Sequence, residues 1–162
     1  MSKNPMWLFA GLISVTVIIL DYITKMAIVE YVAQYDSIDL LSFLRIVHVR
    51  NPGAAFGLFA GVSNYVFIAI YLAAMSMIII YALKSLHGLE LFASALIIGG
   101  ATGNLIDRLT VGEVIDFIDF FVNDWHWPAF NVADSALTVG IIIFLIANLS
   151  AGRHANNEKF KK

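Results

Sequence analysis

The 162-residue chain contains no cysteine, which excludes disulfides within the chain, thiolate nucleophiles, cysteine-ligated metals and a lipidated cysteine on the protein itself. Charge is scarce as well: 14% of residues are charged against 60% hydrophobic, and the mean hydropathy is +0.82. That balance is far from soluble-domain usage and marks a membrane protein. No Lys/Arg-rich block interleaved with aromatics is present, so nucleic acid is not an expected partner. The histidines, His48, His87, His126 and His154, lack zinc-ligand spacing such as H-E-x-x-H, and no metal is expected. No internal repeat is visible, which removes the usual pointer to a transporter built from two similar halves.

What the chain has is apolar length. A membrane span needs about 20 mainly apolar residues, and four segments qualify: 6–29, 65–83, 89–106 and 133–149. Lys3 ahead of the first segment resembles the start of a signal peptide. No A-x-A cleavage site follows, however, and the helical pattern continues past Asp21, so the segment is retained as a span. Lys3, Lys84, Arg153, Lys159, Lys161 and Lys162 gather on one side of the expected bundle. Arg45, Arg50 and Arg108 lie on the other, offset by Glu30, Asp36, Asp39, Asp107, Glu113, Asp116, Asp119 and Asp124. The positive-inside rule then places both termini in the cytoplasm and the two larger loops outside. Residues 38–59 alternate apolar and polar around Arg45 to Arg50 until "NPG" breaks the pattern, a strand signal. Residues 113–121, "EVIDFIDFF", read as strand or buried turn. The expected fold is an all-α membrane protein of four transmembrane helices with a small extracytoplasmic β-sheet lying on the membrane surface. Residues 1–162 form one integral membrane domain, and 150–162 a frayed, solvated cytoplasmic tail.

Several polar residues inside this apolar frame carry two readings each. Asp21 and Lys25, four apart on one helix face, are either a snorkelling surface pair or a bundle-facing pair that holds a polar neighbour. In "RNPGAAFG", Asn51 and Gly53 are an ordinary surface turn, or a place where an extended peptide meets side-chain amide groups and open backbone. Gly99 and Gly103 form a small-xxx-small helix contact. Asn104 and Arg108 follow one turn apart, and Arg108 either snorkels or orients a nearby carboxylate.

Asp134 stands at the entrance to the last apolar run, where a carboxylate is costly unless it caps, pairs or reacts. In "NVAD", Asn131 is a good N-cap and Asp134 falls at the third helical position, so a capping box accounts for it without any function. The competing reading rests on Asp116 and Asp119 just upstream in an apolar segment. Two carboxylates brought close share a proton, one serving as base and the other as acid, which is the chemistry of aspartic peptidases. Residue physics leaves Asp116 and Asp119 both open as the partner. A Ser-Lys dyad is a poor competitor, because Lys25 has no evident serine partner and Lys84 is expected on the cytoplasmic side.

The stretches "DYITK", "RNPGAAFG", "GGATGNLIDR", "VIDFIDF" and "FNVADSALTVG" resemble, in order and approximate spacing, those of the bacterial lipoprotein signal peptidases, across about residues 6–149. The resemblance implies a four-span inner-membrane aspartic endopeptidase that cleaves diacylglyceryl-modified prolipoproteins just before the lipidated cysteine. It implies Asp116 and Asp134 as the catalytic pair, and Asn51, Gly53, Asn104, Arg108, Asn131 and Ala133 along the substrate groove, with Ala54 beside Gly53. It further implies a largely structural role for Asp21 and Lys25, no metal or organic cofactor, and membrane lipids and prolipoprotein as partners of a monomer. Tyr22 stands where the family usually has glutamine, which touches nothing catalytic. The runner-up reading is a proton-coupled carrier using the same carboxylates as a relay; it expects them near the midplane rather than at helix ends. A noncatalytic packing subunit would need only Gly99 and Gly103.

Overall fold

The structure, a computed structural model, describes residues 4–53, 61–85 and 88–159. Lys3, Ala54, His87, Lys161 and Lys162, all used in the sequence reading, lie outside the described residues. The elements run α1 (Asn4–Tyr31), β1 (Ser37–Leu41), β2 (Leu44–Asn51), α2 (Asn64–Ser85), α3 (Leu89–Thr110), β3 (Val114–Val122), β4 (Trp125–His126) and α4 (Val132–Lys159). All four helices are long and apolar enough to cross a membrane. Their outward faces expose Leu8, Phe9, Ile70, Leu72, Ile141 and Ile146, a surface suited to lipid rather than water.

Two boundaries differ from expectation. The third segment was expected to end at residue 106, yet α3 continues to Thr110. Asn104, Asp107 and Arg108 lower the hydropathy there, but they are buried and find partners inside the protein, so the helix is not interrupted. The tail beyond residue 149 was expected to fray, whereas α4 stays helical to Lys159.

α3 is the central helix, and small residues let its neighbours approach. A Cβ on Gly99 would lie 2.9 Å from Val17 Cβ on α1, and one on Gly103 would lie 2.6 Å from Asp21 Oδ2 and 3.2 Å from Ala133 Cβ on α4. Gly140 on α4 repeats the device, since a Cβ there would meet the Ala93 carbonyl at 2.9 Å. Ser14 Oγ on α1 donates to the Ala95 carbonyl on α3 at 2.8 Å, a hydrogen bond between helices in the apolar layer.

The strands form an antiparallel sheet in the order β1-β2-β3-β4 at the end of the bundle where α1 and α3 finish and α2 and α4 begin. The segment 38–59 carries β1 and β2 as far as Asn51, its residues 54–59 lying outside the described residues, and 113–121, read as strand or buried turn, is strand β3. β2 pairs with β3 with Arg45 opposite Asp119 and Val49 opposite Asp116, and the register shifts between Ile46 and Val49. Phe120 stacks between Phe43 and Phe130, with ring centroids 6.4 and 6.0 Å away.

Candidate functional site

The site is built on a buried charge cluster. Lys25 Nζ lies 2.7 Å from Asp21 Oδ2, 2.8 Å from Asp107 Oδ2 and 3.0 Å from Asn104 Oδ1, so its three protons face three acceptors. Asp21 and Lys25 are each 1% exposed, which removes the snorkelling reading. The two aspartates extend the cluster outward. Asp21 Oδ1 accepts from the backbone N–H of Ala133 at 2.8 Å, and Asp107 Oδ2 accepts from that of Ile115 at 3.1 Å. One lysine on α1 thereby fixes α3, the first turn of α4 and the start of β3 relative to one another.

Asn131 and Asp134 form a capping box at the start of α4. Asn131 Oδ1 accepts the backbone N–H of Asp134 at 2.8 Å, and Asp134 Oδ2 accepts that of Asn131 at 3.3 Å. The capping reading is correct in its geometry, but it occupies only one of the two carboxylate oxygens. The other, Oδ1, accepts from Asn104 Nδ2 at 2.7 Å. Asn131 Nδ2, in turn, donates to Asp116 Oδ1 at 2.8 Å, while Asp116 Oδ2 accepts from Asn51 Nδ2 at 2.9 Å. Asp116 and Asp134 are therefore tied together through the side chain and backbone of one buried asparagine.

These two, Asp116 buried and Asp134 half-buried, differ from Asp21, Asp107 and Asp119. Asp21 and Asp107 share Lys25. Asp119 pairs with Arg45 at 2.6 Å and with His126 Nδ1 at 3.0 Å. Among the described residues, Asp116 and Asp134 have no ion-pair partner and are held only by neutral amide donors. Burial pushes the Asp116 carboxyl up to about 7, and the neighbouring charge of Asp134 pushes in the same direction.

A cavity of about 600 Å³ opens beside the pair. Asn51, Gly53, Asn104, Arg108, Asp116 and Asp134 line it, together with an apolar wall that includes Phe130 and Leu137. Asn131 and Ala133, expected along the groove, do not line it; both are fully buried behind the carboxylates, where they link secondary-structure elements. Arg108 also differs from expectation, because among the described residues it pairs with no carboxylate. Its Nη1 donates to Asn64 Oδ1 at 3.1 Å and to the Pro52 carbonyl at 3.3 Å, and its Nη2 donates to the Gly53 carbonyl. Its guanidinium lies 4.1 Å from the centroid of the Phe67 ring. Arg108 thus clamps the Asn51–Gly53 turn, which Asn51 Oδ1 also braces by accepting the Gly53 N–H at 3.0 Å.

Several contributors were not singled out in the sequence. Asp107 was counted only as an outward acidic residue, although its place three residues after Asn104 on the same helix was a usable signal. Asn64, Phe67 and Tyr71 recur on one face of α2 at helical spacing, and Tyr71 lines the cavity with its hydroxyl close to Arg108 and Asn104. No family-independent cue in the span pointed to them.

Comparison with known proteins identifies the family. A family model described as signal peptidase (SPase) II matches residues 13–150. A lipoprotein signal peptidase from Desulforapulum autotrophicum is 40% identical over 141 residues, covering 83% of this chain and 87% of the relative. One from Paraburkholderia phytofirmans is 44% identical over 148 residues, covering 88% and 84%. Among solved structures, a bacterial membrane enzyme determined by the in meso method at 2.3 Å superposes with a TM-score of 0.82 at 36% identity over 88% of both chains. A second, at 1.9 Å, gives 0.79 at 37% identity over 87% of this chain and 92% of that one.

Proposed function

The chain belongs to the signal peptidase II family, and from that premise we propose that it is an aspartic endopeptidase that removes the signal peptide from diacylglyceryl-modified prolipoproteins immediately before the lipidated cysteine. The observation that carries the catalytic assignment is the contrast among five aspartates, Asp21, Asp107, Asp116, Asp119 and Asp134. Asp21 and Asp107 share Lys25 and Asp119 pairs with Arg45, while Asp116 and Asp134 face one cavity with amide donors only. A carboxylate locked to a lysine or arginine is a poor proton carrier. One held by neutral donors can take and give a proton during the reaction.

In the proposed cycle Asp116, held up to about 7, carries the shared proton and gives it toward the scissile carbonyl oxygen. Asp134, with the N–H groups of Asn104 and Asn131 on its oxygens, takes a proton from the attacking water and passes it to the leaving amine nitrogen as the C–N bond of the tetrahedral diol breaks, while a diol hydroxyl proton returns to Asp116. No covalent intermediate forms, and the asparagines keep both carboxylates in place throughout. The site lies where the helices meet the sheet, which is the depth required for a cysteine whose two acyl chains stay in lipid. In the inner membrane, with both termini cytoplasmic, that end faces outward. The carrier reading is disfavoured by the same placement, since a relay belongs near the midplane.

Incubation of the purified protein with a diacylglyceryl-modified prolipoprotein and with its unmodified precursor, followed by gel shift, tests the reading. The modified form should be cut and the unmodified form cut far more slowly. Equal rates would remove lipoprotein specificity from the proposal.

A further inference from the structure

A second cavity, of about 450 Å³, adjoins the first and shares Asn51 and Asp116 with it. The first cavity reaches down among the helices to Tyr71 and Val139, while the second is walled by the sheet. A chain lying across Asp116 and Asp134 therefore has one path toward the bilayer and one over the strands.

The second cavity holds a guanidinium without a partner among the described residues. Arg45 is neutralised by Asp119, which also takes His126. Both oxygens of Asp116 are occupied by Asn51 and Asn131. Arg50 is different. Its side chain has no ion pair or hydrogen bond among the described residues, and its Nε is buried without an acceptor. Arg50, paired in the sheet with Ile115, lines this cavity together with Asp116. A half-buried guanidinium with an unmet donor is favoured by an arriving acceptor, and a carboxylate or a peptide carbonyl supplies one.

We propose that the second cavity is a subsite for the mature polypeptide immediately downstream of the cleaved bond, and that Arg50 is a specificity-determining residue favouring acidic over basic side chains there. The inference rests on the peptidase reading above. A phospholipid headgroup would also satisfy Arg50, but the shared wall at Asn51 and Asp116 favours an occupant continuous with a chain crossing the carboxylates.

The test uses three diacylglyceryl-modified prolipoproteins that differ only at the second and third residues after the cysteine, carrying Ser-Ser, Glu-Glu or Lys-Lys. With the unaltered protein, KM should be lowest for the glutamyl form and roughly tenfold higher for the lysyl form, as for one charge-assisted contact, with kcat little changed. Arg50→Gln should raise KM for the glutamyl form and bring the two values together, and Arg50→Lys should restore part of the difference. Cleavage of all three forms with equal KM by the unaltered protein overturns the subsite assignment and leaves the peptidase reading intact. Failure to cleave any of them overturns the peptidase reading itself. If Arg50→Gln responds only to exchange of phosphatidylglycerol for phosphatidylcholine in the vesicles, with no dependence on substrate sequence, Arg50 reads a headgroup and the proposal is wrong.

Discussion

Asn131 and Asp134 exchange hydrogen bonds at the first turn of α4, Oδ1 of one accepting the N–H of the other at 2.8 Å and Oδ2 returning the contact at 3.3 Å. The same asparagine donates its side-chain amide to Asp116 at 2.8 Å. A helix cap and a carboxylate pair are thus one construction, and substitutions separate its two uses.

Asp116→Asn and Asp134→Asn should each lower cleavage by at least about a hundredfold, because asparagine keeps the size of aspartate but cannot exchange the proton. Asp119→Asn should retain substantial activity, since Asp119 is engaged by Arg45 and His126. Single-turnover cleavage with purified variants decides it. Full activity in Asp134→Asn would reduce that residue to a cap, and a dead Asp119→Asn beside a live Asp116→Asn would show the wrong partner was chosen.

Activity should fall as pH rises through about 7. Burial raises the Asp116 carboxyl from its ordinary 3.8 to about 7, so below that point the residue carries the proton the reaction uses and above it the proton is lost. Loss of the proton leaves two anions sharing the site and no acid to serve the carbonyl. A kcat/KM profile flat from about pH 6 to 9, spanning the range in which such a group titrates, would contradict this assignment.

Lys25→Met should destabilise the protein strongly, on the order of 3–5 kcal/mol, by leaving Asp21 and Asp107 buried without a cation. Thermal unfolding in detergent is the readout. An unchanged Tm would mean that the cluster contributes nothing to holding α1, α3 and α4 together.

Gly103→Leu should lower yield and thermal stability, because any side chain there meets Asp21 Oδ2 and Ala133 Cβ. Gly11, with nothing within 4 Å of a Cβ, is the internal control. Equal tolerance at both positions would make the close approach at Gly103 irrelevant.

Reporter fusions after Lys84 and after Lys162 should both report cytoplasm, while fusions near Ser37 and Asn123 should report the exterior, following the distribution of Lys and Arg. An exterior C-terminus would place the sheet and both cavities on the cytoplasmic side, out of reach of an exported substrate.

By itself the sequence determined the four spans, the two strand-forming loops and the capping box at "NVAD". Lipid demands a run of fixed length and apolarity, pleated segments show their period, and a cap is a contact between residues three apart. Even so, hydropathy ended the third span early, because it cannot register that Asp107 and Arg108 have partners inside the fold. Tertiary structure alone decided the rest. Lys25 meets Asn104 across 79 residues of chain, Asn51 meets Asp116 across 65, and Arg108 turns to the Gly53 carbonyl rather than to a carboxylate across 55. Such contacts leave no local pattern. They follow from how closely α3 packs against α1 and α4, and from the β2–β3 register that sets Asp119 opposite Arg45 and leaves Asp116 to neutral donors.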